Sequence, residues 1–176
     1  PDIAGLLCSA ILSDTLVYRS PTCTETDRLA AEELAGIAGI QTHEYAMEMF
    51  AAGSDLSSKS PEEIFYQDFK KFVVGEQTFG VGQITAMTSK ELEAIKEKLM
   101  PYMQKAMADH EVSMLFFMLT DILQASTELL YYGSGAKELA LEAFHLPKDA
   151  DTIILKNTVS RKKQIIPAMM MALQEE

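Results

Sequence analysis

The sequence is short of positive charge. It carries 15 basic residues against 26 acidic ones, a formal net charge of -11 over 176 residues. Nucleic acid and membrane surfaces are both polyanionic, so this balance argues against either as a general partner, and any anion held here must meet a local basic site. Long apolar runs are also missing. The longest candidate, MLFFML at 114–119, falls well below the roughly 18 residues that span a bilayer and reads as a buried strand. The N-terminus lacks the basic, apolar and small-residue layout of a secretory signal. Cysteine is scarce: Cys8 and Cys23 show no pairing pattern and have no histidine nearby, which fits a reducing cytoplasm and offers no nucleophile. His43, His110 and His145 are scattered without metal-ligand spacing and read as surface or helix-end residues. There is no internal repeat and no low-complexity tract.

What is present suits a soluble domain or two small ones, with 48% hydrophobic and 23% charged residues. The chain opens on Pro1-Asp2-Ile3 inside a helical pattern, which predicts a fragment of something longer. Residues 3–17 are apolar nearly all round and are expected to be buried. Thr24 is the expected N-cap of the next helix, with Glu25 and Asp27 in its first turn and Gly39 as its stop. Another helix follows Thr42, with Met47, Phe50 and Ala51 on one face. Residues 53–60 read as a linker, and Ser60-Pro61 starts a new helix. Beyond it the pattern changes. Residues 67–74 and 77–86 form a hairpin about Gly75-Glu76, and Thr88–Glu91 resembles a capping box for a helix reaching Ala108. Strands at 112–119, 128–132 and 152–159 alternate with helices at 136–144 and 165–174. The expected fold is α/β: a mixed sheet flanked by helices, preceded by a small helical piece.

Few residues stand out chemically. Asp14 lies in an apolar helix, where a bare charge is costly. It either caps backbone amides at a helix end or serves as a metal ligand. Arg161, Lys162 and Lys163 sit side by side between a predicted strand and a predicted helix, a junction that offers free N–H groups to an anion. Either they bind phosphate oxygens, Arg161 as a planar fork and lysine as a mobile point charge, or they form a solvated basic loop. Lys70 and Lys71 occupy a predicted strand whose alternation sends them to opposite faces. Gly80-Val-Gly82 lies within a strand and lacks the rest of a phosphate-loop pattern. The AMMMAL segment reads as core filler.

Several stretches occur in one order: AGLLCSAILSDTLVYRSPTCTETD, the ELAGIAGI helix, AGSDLSSKS, DFKKF, GQI, LTDIL and SRKKQIIP. Together they resemble the C-terminal portion of the manganese-dependent (family II) inorganic pyrophosphatases of the DHH phosphoesterase superfamily. The resemblance implies that residues 1–52 are the end of a truncated DHH domain, 53–60 a hinge and 61–176 a substrate-binding domain that closes over substrate. It implies Asp14 as a metal ligand. It implies Arg161 and Lys162 as the catalytic pair that grips pyrophosphate, with Lys70 and, as part of the motif, Lys163 beside them. Manganese is the implied cofactor, with magnesium or cobalt as substitutes. Two or more ions would be bound mainly by an N-terminal part, because this sequence has no DHH triplet. A cytoplasmic homodimer paired through that N-terminal part is implied for the parent, with pyrophosphate as substrate and no nucleic-acid or membrane partner. The chain alone is expected to be inactive. An exopolyphosphatase-like DHH enzyme and a non-catalytic phosphate-binding module are the alternatives.

Overall fold

The computed structural model describes residues 1–53, 56 and 58–175. The chain divides into two compact units, Pro1–Asp55 and Leu56–Glu176. Of the stretch expected to be a linker, Ser54, Asp55 and Ser57 lie outside the described residues, while Leu56 is buried in the second unit's core.

The first unit is helical: α1 (Asp2–Asp14), α2 (Glu25–Ala38) and α3 (Thr42–Gly53). Thr24 caps α2, and Asp27 returns its carboxylate to the Thr24 N–H at 2.7 Å, closing a capping box. Gly39 ends the helix in the left-handed region, at φ 72°. Two expectations fail here. Helix α1 is not buried all round: Ala4, Cys8 and Leu12 form the packed stripe, whereas Ile3 and Leu6 are 74% and 71% exposed. The helices of the unit cover only one side of α1, so the rest of its apolar surface meets solvent. On α3 the buried residue is Ala46, flanked by Tyr45, Met49 and Phe50; Met47 and Ala51 are not in that cluster. Exposed apolar surface of this size favours association. Leu6→Glu is expected to lower concentration-dependent self-association of the isolated chain in sedimentation velocity, and an unchanged profile would rule this face out.

The second unit is a five-stranded mixed sheet in the order β1-β2-β3-β4-β5. The strands are β1 (Phe69–Val74), β2 (Gln77–Ala86), β3 (Met114–Asp121), β4 (Ser126–Tyr132) and β5 (Ile154–Lys156). The hairpin β1–β2 turns at Gly75, whose φ is 59°. β2 and β3 are parallel because α5 (Ser89–Asp109) crosses between them; the remaining pairs are antiparallel. Every residue of β3 is buried, and its alternation serves two cores. Leu115, Phe117 and Leu119 join α4 (Pro61–Phe65) and α5, while Phe116 and Met118 join α6 (Ala136–Ala143) and α7 (Ile166–Glu175). The strand expected at 152–159 shrinks to three residues, freeing the loop that follows for other hydrogen bonds. Of the methionines in AMMMAL, Met169 is fully buried, but Met170 and Met171 are exposed because α7 turns only one face to the sheet.

Helix starts follow local chemistry. Ser60 and Glu63 form a second capping box, with Pro61 leading the helix. Thr88 accepts from Glu91 N, but Glu91 reaches back to Met87 N rather than to Thr88, so that box is open by one residue. The Thr24 and Ser60 donors hold the Asp27 and Glu63 carboxyls below the usual carboxylate range. A depressed carboxylate contributes stability that is complete above its unfolded pKa, about 3.9 for Asp and 4.3 for Glu, and is lost as pH falls through its lower folded value. Asp27→Asn combined with Glu63→Gln is therefore expected to flatten the acid limb of a pH–stability profile below about pH 4. A limb as steep as the original would show that these caps play no part.

Candidate functional site

The basic cluster opens a π-helical turn, Arg161–Ile165, that leads into α7. Ser160 is its N-cap and accepts from Lys163 N at 3.2 Å. Gln164 Oε1 accepts from both Val159 N and Ser160 N at 3.0 Å, and its Nε2 donates to Asn157 O at 2.6 Å. The glutamine of SRKKQ thus staples its own loop. Lys162 and Lys163 are exposed, as a solvated basic loop would have them. Arg161 is not: it is 7% exposed. Its Nη1 donates to Asp68 O at 2.7 Å and to Val81 O at 3.1 Å, and its Nη2 donates to Asp68 Oδ1 at 2.6 Å. A buried guanidinium without partners would be prohibitive, and these acceptors remove that cost.

A directed chain of hydrogen bonds holds the loop from below. Gln83 Nε2 donates to Val159 O at 3.0 Å. Thr127 Oγ1 donates to Thr158 O at 2.6 Å and stands 2.9 Å from Thr120 Oγ1. Thr120 and Thr127 are fully buried, where an unmade hydrogen bond is expensive, so the loop carrying Arg161 is set by the sheet.

The two strand lysines part as alternation requires. Lys71 faces α5, where its Nζ donates to His110 O at 2.8 Å and complements the negative end of that helix. Lys70 is exposed and stands opposite Val81 in register, the residue whose carbonyl takes Arg161. Lys70, Arg161, Lys162 and Lys163 therefore all belong to the second unit, with Lys70 and Arg161 linked through Val81. Asp68 and Gln83 were missed as supporting residues by reading the sequence. The available signals were the acid that opens DFKKF and the glutamine of GQI.

Asp14 belongs to the first unit and is the last residue of α1. It is exposed, and its carboxylate makes no hydrogen bond or ion pair among the described residues. The amide-capping alternative does not apply: at the C-terminal end of a helix the free groups are carbonyls. Thr15 does the local bonding instead, donating to Ile11 O at 2.7 Å and accepting from Tyr18 N at 3.2 Å. A carboxylate at that end opposes the helix dipole by about 0.3–1 kcal/mol and is better placed for a cation than for an amide. The backbone beyond it runs through three left-handed residues, Leu16, Val17 and Tyr18, at φ 47°, 53° and 66°. Such strain, sharpest at β-branched Val17, is typical of functional segments. The described residues bring no three His, Cys, Asp or Glu side chains together to hold a metal.

The chain is similar to proteins of one family. A family model described as the DHHA2 domain matches residues 47–172. A manganese-dependent inorganic pyrophosphatase of Bacillus subtilis is 37% identical over 174 residues, covering 99% of this chain and 56% of the relative. A manganese-dependent one of Methanothrix thermoacetophila is 38% identical over 96% of this chain and 54% of its own length. A cobalt-dependent inorganic pyrophosphatase of Clostridium perfringens is 40% identical over 96% of this chain, but this covers 30% of the relative. A crystal structure assigned to a family II inorganic pyrophosphatase of Methanococcus jannaschii superposes with a TM-score of 0.85 at 36% identity, over 99% of this chain and 56% of that one. The chain spans about half the length of most of these relatives. With that match over most of its length, the chain belongs to the DHHA2 domain family.

Proposed function

We propose that this chain is the substrate-gripping portion of a manganese-dependent inorganic pyrophosphatase that hydrolyses pyrophosphate to two orthophosphates. The observation that carries the reading is the setting of Arg161. It is buried and held by two main-chain carbonyls and one carboxylate; exposed Lys162 follows it in sequence, and Lys70 stands in register opposite Val81, one of its acceptors. Pyrophosphate is a multiply charged anion that repels an attacking hydroxide. Cations fixed on its phosphoryl oxygens neutralise the charge that shifts as the bridging P–O bond breaks, and fixed groups reorganise less than water does. Arg161 supplies two-point contact, Lys162 and Lys70 supply point charges, and Lys163 adds to the local field.

Manganese or a related divalent ion, when bound, supplies an activated water and a Lewis acid. Asp14 offers one carboxylate to it, and the remaining ligands would have to come from beyond the described residues. Residues 1–52 would then be the end of a DHH domain, and 61–176 the substrate-binding domain after a 53–60 hinge. A cytoplasmic enzyme that pairs through its N-terminal part belongs to the same reading. No helix among the described residues is long and apolar enough to cross a membrane.

The test is manganese-dependent phosphate release by the full-length protein from pyrophosphate and from long-chain polyphosphate. Pyrophosphate is expected to be the preferred substrate. Preference for the long chain would replace this reading with an exopolyphosphatase-like one. Binding of either without hydrolysis would leave a phosphate-binding module.

A further inference from the structure

One residue closes the end of the Arg161 guanidinium. Nη1 donates to the Asp68 carbonyl at 2.7 Å while Nη2 donates to Asp68 Oδ1 at 2.6 Å, so Asp68 holds the group by both of its terminal nitrogens. Val81 O takes a third N–H at 3.1 Å. Arginine has five N–H groups, and the two not used by these bonds are Nε–H and one on Nη2. That edge of the guanidinium is the parallel fork that matches two oxygens of a phosphate. The Asp68 side chain is itself about half exposed, at 49%. The Asp68 carbonyl also accepts from Gln83 N at 3.0 Å, which ties it to β2. Two residues further on, the chain presents Lys70 opposite Val81. The run Asp68-Phe69-Lys70 therefore both orients one cation and carries another.

We propose that Asp68 is a positioning residue of the anion site. It leaves the Nε–Nη2 edge of Arg161 as the edge that meets substrate, and its charge cancels that of the arginine. The net attraction for pyrophosphate then comes from Lys162 and Lys70, and Arg161 supplies direction. This inference rests on the pyrophosphatase reading above. The two parts of the role separate chemically. Asp68→Asn keeps an acceptor oxygen and removes the charge, whereas Asp68→Ala removes both.

The experiment is steady-state hydrolysis of pyrophosphate by the full-length protein and these variants at low and high salt, with thermal melting as the check on folding. Asp68→Ala is expected to lower kcat by about tenfold or more, the loss of one charge-assisted hydrogen bond. Asp68→Asn is expected to keep kcat within about threefold while KM falls and becomes more salt-sensitive, because the site gains a net positive charge. A merely structural ion pair would change melting without this split between kcat and KM. Arg161→Ala is the reference. If it hydrolyses normally, the reading of the whole site fails. If it is crippled while folded Asp68→Ala keeps wild-type kcat and KM, the positioning role of Asp68 is overturned. Should Asp68→Ala not fold, Asp68→Asn decides, and an unchanged KM with unchanged salt dependence overturns the proposal.

Discussion

Arg161→Lys is expected to lower kcat/KM for pyrophosphate by about 100-fold in the full-length protein, although the charge is kept. The reason is geometric. Arg161 spends three N–H groups on Asp68 and Val81 and still has two to offer, whereas an ammonium has three donors in all. A lysine that satisfied the same three acceptors would have no donor left for a phosphate. One that turned to substrate would abandon the buried Val81 carbonyl. Two charge-assisted hydrogen bonds at about 1.5 kcal/mol each come to roughly 3 kcal/mol, which is about two decades in rate. Steady-state kinetics would show this directly, and a lysine variant within threefold of wild type would mean that Arg161 acts only as a point charge.

The second large effect concerns folding. Gly82→Ala is expected to destabilise the second unit by about 1–3 kcal/mol and to lower its melting temperature by roughly 5–10 °C. Gly82 lies on β2 between Phe69 and Phe117 in register, and a Cβ placed there would run into the Phe117 ring. At Gly80 a Cβ would stand 2.6 Å from the Phe69 ring. These rings cannot swing aside freely. Phe117 is fully buried, its centroid lies 5.7 Å from that of Phe65, and Phe65 lies 4.8 Å from Phe69. The two glycines of GVG thus let aromatic rings cross a strand, which is why they bear no relation to a phosphate loop. Because the strain comes from one ring, Gly82→Ala and Phe117→Leu should be less than additive when combined, by thermal or denaturant unfolding. Full additivity would contradict the clash.

Legibility in the sequence followed distance along the chain. The caps at Thr24 and Ser60, the stop at Gly39 and the turn at Gly75 rest on bonds within about four residues, and simple rules reach them. The buried run of β3 is equally plain, because eight consecutive buried positions need no partner to be recognised. Arg161 and Asp68 lie 93 positions apart, and no local pattern couples them. The basic triplet could be seen, but not that its first member is buried and the next two are exposed. The exposed face of α1 escaped for a related reason: apolar composition predicts burial, and only the packing of α2 and α3 shows which stripe is covered. Alternation sends Lys70 and Lys71 to opposite faces, but the partner of Lys71 is the C-terminal end of α5, 39 positions away, which no local pattern names. At Asp14 the sequence left two roles open, and its position at the carbonyl end of α1 removes amide capping from them.

The most direct measurement is manganese-dependent phosphate release from pyrophosphate by the full-length protein, its Arg161→Ala variant and the 176-residue chain alone. An active full-length protein, a variant weakened by at least about 100-fold and a silent chain are expected, since Asp14 by itself cannot assemble a metal centre. A fully active Arg161→Ala variant, or hydrolysis by the chain alone, would contradict that expectation.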